Sequence, residues 1–234
     1  MYYPYGFWGF DPTYLLLIIG MLVSVAASLK LKSTFAVYKK VRSASGMTGA
    51  QTARKILSAA GIYDVQVVSV SGSLTDHYDP RTKRVCLSED VFDKTSLAAV
   101  GVAAHECGHA IQHATQYAPL DFRTSIVPAA NLGSTLSWPL FLFGLIASYR
   151  PLQILGIILF SLVVLFQLAT LPVEFNASSR ALKMLEGTGI LSTQENKGAR
   201  KVLTAAAMTY VAALAASVLQ FTRLLILAGG RDRD

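Results

Sequence analysis

Residues 152–171 read LQILGIILFSLVVLFQLATL and contain no ionisable side chain. A helix needs about 20 consecutive, mostly apolar residues to cross the hydrocarbon core of a bilayer, so this stretch predicts a transmembrane helix. Other apolar stretches lie at 14–29, at 129–147, where Pro139 is expected to break the helix, and in a last helix that runs to about residue 227. The sequence therefore predicts a protein with four membrane-spanning helices.

The composition of the chain supports a membrane location. Hydrophobic residues make up 53% of the chain and charged residues 15%, whereas soluble domains carry about 25% charged residues. In a soluble protein, the net charge of +7 would raise the question of nucleic-acid binding. Here the basic residues flank the apolar stretches, where they set the orientation of a membrane protein. We therefore expect no nucleic-acid partner.

The distribution of basic residues predicts the orientation. Segments 30–125 and 173–201 together hold 17 of the 21 Lys and Arg residues. Because cytoplasmic segments of membrane proteins are enriched in Lys and Arg, we expect both segments on the cytoplasmic side and both chain termini outside.

The polar segment after the first span predicts a small α+β lobe. Apolar residues at helical spacing predict a helix at 48–60, and a valine-rich run predicts a strand at 65–70. Short strands are expected at 74–78 and 84–87, and a long alanine-rich helix at 96–116. Beyond the third span we expect a separate helix at 173–185. A capping box, Ser192 to Glu195, should then begin the last helix.

The long helix of this lobe carries the sequence His105-Glu106-Cys107-Gly108-His109, an H-E-x-x-H motif. Residues four apart on a helix differ by about 40° in azimuth and about 6 Å in height, so both imidazoles can bind one metal ion. Glu106 flanks that position without reaching the ion, as a general base for zinc-activated water requires. The alternative is a surface helix with polar side chains.

A catalytic zinc site needs a third protein ligand. His113 continues the four-residue spacing, but it lies about 12 Å above His105 along a straight helix, which favours a supporting or core position. Between Asp121 and the C-terminal tail, the acids are Glu174, Glu186 and Glu195. Glu174 directly follows the third span, and the two spans between it and His109 return it to the same membrane side. The alternative is a first-turn acid favoured by the helix dipole.

Several motifs resemble those of bacterial neutral zinc metallopeptidases anchored in the plasma membrane, a family that is distantly similar to membrane proteases of heat-shock quality control and prenyl-protein processing. The resembling segments are LTDHYDP at 74–80, VCLS at 85–88, AAHECGHA at 103–110 and VEFNAS at 173–178.

The resemblance implies an α-helical integral membrane protein with a small α+β zincin-like lobe that carries the H-E-x-x-H helix. It also implies a Glu ligand after two spans, as Glu174 is here. The relatives have an Asp four residues beyond that Glu, which supports a histidine ligand. This chain has Ser178 there, so Asn176 or another acid would have to serve. The resemblance and the strand's position suggest that residues 85–87 form a sheet edge for substrate.

Stabilisation of an oxyanion requires hydrogen-bond donors near the metal. We identify Arg180, His77 and Tyr78 as candidates. Arg180 is six residues beyond Glu174, and the other two lie in a strand-to-turn element before the metal helix. Alternatively, Arg180 neutralises Glu186 or meets lipid headgroups, and His77 and Tyr78 only build the turn.

These features divide the chain into five segments. They are an N-terminal anchor at 1–29, the lobe at 30–125, a transmembrane hairpin at 126–172, a third-ligand helix and linker at 173–201, and a C-terminal transmembrane helix and tail at 202–234.

The sequence predicts a multi-pass zinc endopeptidase of the bacterial plasma membrane, gluzincin-like, with one Zn²⁺ per chain held by His105, His109 and Glu174. Its partners would be the lipid bilayer and a protein or peptide substrate, and its oligomeric state is undetermined.

The main alternative is a zinc-binding membrane scaffold without activity, which the presence of Glu106 disfavours. A transporter is disfavoured because the second and third spans lack ionisable residues. A different zinc hydrolase is only weakly excluded.

Overall fold

The computed structural model describes residues 11–229, which form six helices and three short strands. The elements are α1 (Tyr14–Tyr38), α2 (Gly49–Ala59), β1 (Gln66–Val70), β2 (His77–Asp79), β3 (Arg84–Ser88), α3 (Leu97–Ala114), α4 (Ala118–Ile146), α5 (Arg150–Gly187) and α6 (Thr193–Gly229). Both chain ends, at 1–10 and 230–234, lie outside the described residues, and with them part of the predicted anchor and the tail.

Four of these helices are long and apolar enough to cross a membrane: α1, α4, α5 and α6. This agrees with the predicted helical membrane protein that carries a small α+β lobe. The capping box predicted at the start of the last helix is present, since Ser192 N donates to Glu195 Oε2 (3.0 Å) and Glu195 N donates to Ser192 Oγ (3.3 Å).

Two helix breaks predicted at prolines are wrong. Helix α4 continues through Pro139, and α5 continues through Pro172, so that residues 152–171 and 173–185 belong to one helix. Glu174 consequently lies inside α5 and does not open a new helix. Proline removes a single backbone donor, and transmembrane helices tolerate that loss when their surroundings satisfy the freed carbonyl.

The described chain divides into two compact units. The first, here called the apolar unit, contains residues 11–27, 122–171 and 209–229. Its α4 and α5 segments approach closely, since a Cβ on Gly133 would lie 2.3 Å from the Leu159 carbonyl oxygen. Small residues commonly permit such contacts between membrane helices. Phe141, Phe160 and Leu224 form its buried cluster.

The second, here called the polar unit, contains Ser28–Asp121 and Pro172–Met208. Its sheet has the order β1-β3-β2, with β3 parallel to β1 and antiparallel to β2. The prediction that residues 85–87 form a free edge is therefore wrong, because β3 is paired on both sides. The predicted strand at 74–78 is confined to β2, which is one edge of the sheet.

The core of the polar unit surrounds α3. Fully buried side chains reach it from several neighbouring elements, including Ile56 of α2, Leu87 of β3 and Leu185 of α5. Burial of each such side chain contributes about 1.5–3 kcal/mol relative to exposure. The packing of α3 in this core thus gives its H-E-x-x-H motif a fixed position.

Candidate metal centre

Helix α3 places the two motif histidines side by side. It begins after Ser96, whose Oγ accepts a hydrogen bond from Ala99 N (3.2 Å), as an N-cap does. The His105 and His109 rings lie edge to face with their centroids 4.8 Å apart. The four-residue spacing on one helix therefore produces the predicted pair.

Helix α5 brings Glu174 against this pair. Its Oε2 atom is 3.3 Å from His105 Nε2 and 3.7 Å from His109 Nε2. One potential ligand atom from each of the three residues lies within 4.8 Å of the other two, and Glu174 is only 4% exposed. Ligand atoms in a tetrahedral zinc site with bonds of about 2.0–2.1 Å are about 3.4 Å apart. The spacing thus fits a zinc ion.

A glycine inside the motif makes this approach possible. A Cβ on Gly108 would lie 2.4 Å from the Ala177 carbonyl oxygen, closer than any side chain tolerates. The backbones of α3 and α5 are therefore in contact at this level, which brings Glu174 on α5 to the histidines on α3.

His105 is supported by Ser178, the residue that stands where the resemblance leads us to expect an Asp. Ser178 Oγ lies 3.1 Å from His105 Nδ1. A hydroxyl can accept the Nδ1 proton as an aspartate would, which leaves the Nε2 lone pair directed at Glu174. Ser178 consequently occupies the supporting position as a neutral group.

His109 is supported by a chain of three polar side chains. Arg180 Nε donates to Asn176 Oδ1 (2.7 Å), and that oxygen also accepts from Gln112 Nε2 (3.0 Å). Gln112 Nε2 also donates to the Val173 carbonyl (2.8 Å), and its Oε1 lies 3.0 Å from His109 Nδ1. Because an arginine only donates, the orientation of both amides is fixed. The proton of neutral His109 is then on Nδ1, and its Nε2 is free to bind a metal.

The centre consequently contains several lone-pair atoms without a hydrogen-bond donor, and a cation would satisfy them. Two imidazole nitrogens and a carboxylate oxygen converge, and Glu174 Oε2 makes no hydrogen bond within residues 11–229. A buried acceptor without a partner is costly, and two imidazoles with one carboxylate are a known set of catalytic zinc ligands. The residues present therefore fit zinc.

Glu106 lies beside the cluster without belonging to it. It is 7% exposed, and His105, His109 and Glu174 are close enough for their charges to act on its carboxyl. Burial raises the pKa of the Glu106 carboxyl above its ordinary value, although the two histidines oppose this shift. A raised pKa makes the ionised carboxylate a stronger base, as a general base requires.

The other predicted residues have different neighbours. His77 is exposed on β2, with its Nδ1 2.8 Å from the Thr75 carbonyl, and Tyr78 Oη lies 2.8 Å from His113 Nδ1. Burial raises the pKa of Tyr78 to about 12, so its hydroxyl keeps its proton at neutral pH. In the described part of the chain, the cluster of potential metal ligands does not include any of these three residues.

Gln112 is the functional candidate that the sequence analysis missed. It is completely buried and lies three residues beyond His109 on the same helix. Residues three apart on a helix are surface neighbours. A glutamine three residues after the second histidine of the motif could therefore have indicated a hydrogen bond to that histidine.

Replacing Gln112 by Met should weaken zinc binding, because the side chain keeps its length but loses the acceptor for His109 Nδ1. Removal of an outer partner of a metal ligand typically costs 10–100-fold in affinity, and we expect a loss in this range. Competition with a chromogenic chelator measures it. Gln194→Met, an exposed change on α6, should leave the affinity unchanged. Equal affinity in both variants would contradict the support assigned to Gln112.

Comparison with known proteins identifies the family of the chain. The family described as "Putative neutral zinc metallopeptidase" matches residues 13–229. "Putative membrane protease YugP" of Bacillus subtilis (strain 168) is 48% identical over 220 residues, which cover 94% of this chain and 98% of that protein. No solved structure matches the chain. The chain therefore belongs to the family of that description, "Putative neutral zinc metallopeptidase".

Proposed function

We propose that this protein is a membrane-embedded zinc endopeptidase that hydrolyses peptide bonds with water, with Glu106 as general base. The observation that carries the proposal is the convergence of His105, His109 and Glu174 on one point, with Glu106 buried beside it. The relationship to a family of zinc metallopeptidases supports the same activity.

In this proposal, His105, His109 and Glu174 hold the metal, and zinc, when bound, supplies Lewis-acid chemistry that makes water a nucleophile near neutral pH. The Glu106 carboxylate takes a proton from the attacking water and passes it to the nitrogen of the leaving amine. Each step needs a group within hydrogen-bond reach of the transferred proton. Ser178 and Gln112 keep the two imidazoles in the orientation that the metal requires.

Arg180, His77 and Tyr78 remain our candidates for stabilising the oxyanion. Their contacts distinguish them. Arg180 uses its Nε on Asn176 and its guanidinium carbon lies 5.6 Å from the centre of the Tyr117 ring, which favours a positioning role. Tyr78 retains a protonated hydroxyl, as a donor to an oxyanion must.

We further propose that the active site lies on the cytoplasmic side of the bacterial plasma membrane, with both termini outside. The basic residues of segments 30–125 and 173–201 support this orientation. Glu174 also follows the apolar stretch 152–171 almost directly along a single helix. A metal ligand so close to the end of a span favours membrane proteins or membrane-proximal peptides as substrates.

Removal of the metal tests the proposal. The full chain in nanodiscs should contain one zinc ion per chain by elemental analysis and should cleave an unfolded model protein. Treatment with 1,10-phenanthroline should reduce cleavage to background, and added zinc should restore it whereas magnesium should not, because the ligand set contains two imidazoles. Activity that persists after the zinc has been removed would refute the proposal.

A further inference from the structure

An arginine without an acidic partner lies at one end of the apolar unit. Arg123 is the second residue of segment 122–171 and belongs to the first turns of α4. Among residues 11–229, the one acid of the apolar unit is Asp11, which precedes α1. Because α1 crosses the bilayer before α4 begins, Asp11 and Arg123 lie at opposite ends of the spans. Arg123 forms no ion pair with any described residue.

The guanidinium group of Arg123 is held by an aromatic ring of the neighbouring helix. Its Cζ atom lies 5.5 Å from the centre of the Phe166 ring on α5. An arginine within about 6 Å of such a ring centre is attracted to the face of the ring. Arg123 is half-buried, and its Nε atom is buried without a hydrogen-bond partner within residues 11–229. The Nε edge therefore faces protein, and a ligand cannot reach it.

The two terminal nitrogens of Arg123 remain accessible. Nε is the one nitrogen of this side chain that is buried without a partner, and neither Nη atom makes a hydrogen bond within the described part of the chain. Gln167, the residue after Phe166, has the same pattern, since its Oε1 is buried and its Nε2 is accessible. This level of the apolar unit thus presents N–H donors that have no acceptor in residues 11–229.

These donors lie where lipid headgroups are expected. Helices α4 and α5 are both long and apolar enough to cross a membrane. Arg123 precedes the apolar stretch 129–147 by about 9 Å of helix. Its neighbour Phe122 is 49% exposed, and membrane proteins commonly carry aromatic side chains at the level of the headgroups. The acceptors available there are the phosphate oxygens of lipids.

We propose that Arg123 binds the phosphate of an anionic phospholipid, phosphatidylglycerol, in the leaflet on the side where α4 begins. That leaflet is the cytoplasmic one in the orientation proposed above. The Nη atoms donate two parallel hydrogen bonds to phosphate oxygens, as an arginine fork does, and Phe166 holds the guanidinium in place. A zwitterionic lipid brings its own cation to the phosphate and is therefore bound less tightly. The proposal does not depend on the peptidase activity.

Native mass spectrometry of the full chain in detergent tests the proposal. The protein would be titrated with phosphatidylglycerol and, separately, with phosphatidylcholine of identical acyl chains, and the Kd of the first bound lipid would be measured. The wild type should bind phosphatidylglycerol about fivefold more tightly, the ratio that corresponds to about 1 kcal/mol for one arginine at an anionic membrane surface. Equal affinities for the two lipids would overturn the proposal.

Three variants locate the preference. Arg123→Gln should abolish it, whereas Lys197→Gln, which removes the same charge at an exposed position of α6, should retain it. Arg123→Lys should give a lower preference than the wild type, because an ammonium group keeps the charge but does not provide the planar fork. Circular dichroism and zinc content verify that each variant is folded. A preference that survives in Arg123→Gln, or a wild-type preference in Arg123→Lys, would overturn the proposal.

Free phosphate offers the same oxygens without acyl chains and is the alternative ligand. Sodium phosphate in large excess over lipid, compared with sodium chloride at equal ionic strength, should not displace phosphatidylglycerol, because the lipid is also held by its apolar chains. The chloride sample accounts for screening of charge by salt. Displacement by phosphate beyond the effect of chloride would assign the site to a free phosphate and would overturn the proposal.

Discussion

Replacing Glu106 by Gln is expected to lower kcat for peptide hydrolysis by about 10³-fold, within the 10²–10⁴-fold range that general acid–base catalysis contributes. This corresponds to about 4 kcal/mol in the activation barrier. The amide has nearly the shape of the carboxylate but cannot accept the proton of the attacking water. Because Glu106 is outside the ligand cluster, zinc content should be unchanged. Elemental analysis and cleavage of an unfolded protein measure the two quantities on the same sample.

Glu89→Gln is the matched control, since it makes the same chemical change at an exposed position of the polar unit. It should retain both zinc and activity. Three outcomes separate the hypotheses. Equal zinc with activity only in the wild type supports Glu106 as the base, and equal zinc with equal activity excludes it. Zinc without activity in either protein leaves a metal-binding scaffold or a protease too selective for that substrate.

Replacing Glu174 by Gln should reduce zinc binding itself, whereas Glu106→Gln should reduce only the rate of hydrolysis. The carboxylate supplies the negative ligand that faces two neutral imidazoles, and it is 3.3 Å and 3.7 Å from their Nε2 atoms. A neutral amide oxygen is a much weaker ligand. We expect zinc affinity to fall by more than the roughly 100-fold upper range for outer-shell changes, and proteolysis to fall with it.

Equilibrium dialysis against a zinc buffer measures the affinity of the Glu174→Gln protein, with Glu89→Gln again as the control. Excess zinc should partly restore metal content, because both histidines and their supports remain in place. Wild-type affinity in the Glu174→Gln protein would exclude Glu174 as a ligand.

The features predicted from sequence are those that depend on neighbouring residues along the chain. Stretch 152–171 predicts its helix by composition and length alone. His105 and His109 meet because residues four apart on a helix share a face. Glu174 could be selected because few acids follow the second span and because two spans return the chain to its starting side.

The features that were missed depend on contacts between distant residues. The central position of β3 follows from its pairing with β1 and β2, and no pattern within residues 85–87 specifies which strands lie on either side. Continuation of α5 through Pro172 likewise depends on packing around the proline. The connection from Arg180 to His109 requires α3 and α5 to touch at Gly108, and no spacing rule along one helix predicts that contact.

The polar unit is built from two separated lengths of chain, Ser28–Asp121 and Pro172–Met208. During synthesis, both histidines therefore leave the ribosome before Glu174, which follows His109 by 65 residues. At about 5–20 residues per second, that interval lasts several seconds, and the chain made during it includes the stretch expected to enter the bilayer. A nascent chain consequently holds two imidazoles without their carboxylate. The order of translation therefore completes the proposed set of zinc ligands only after the hairpin has been made.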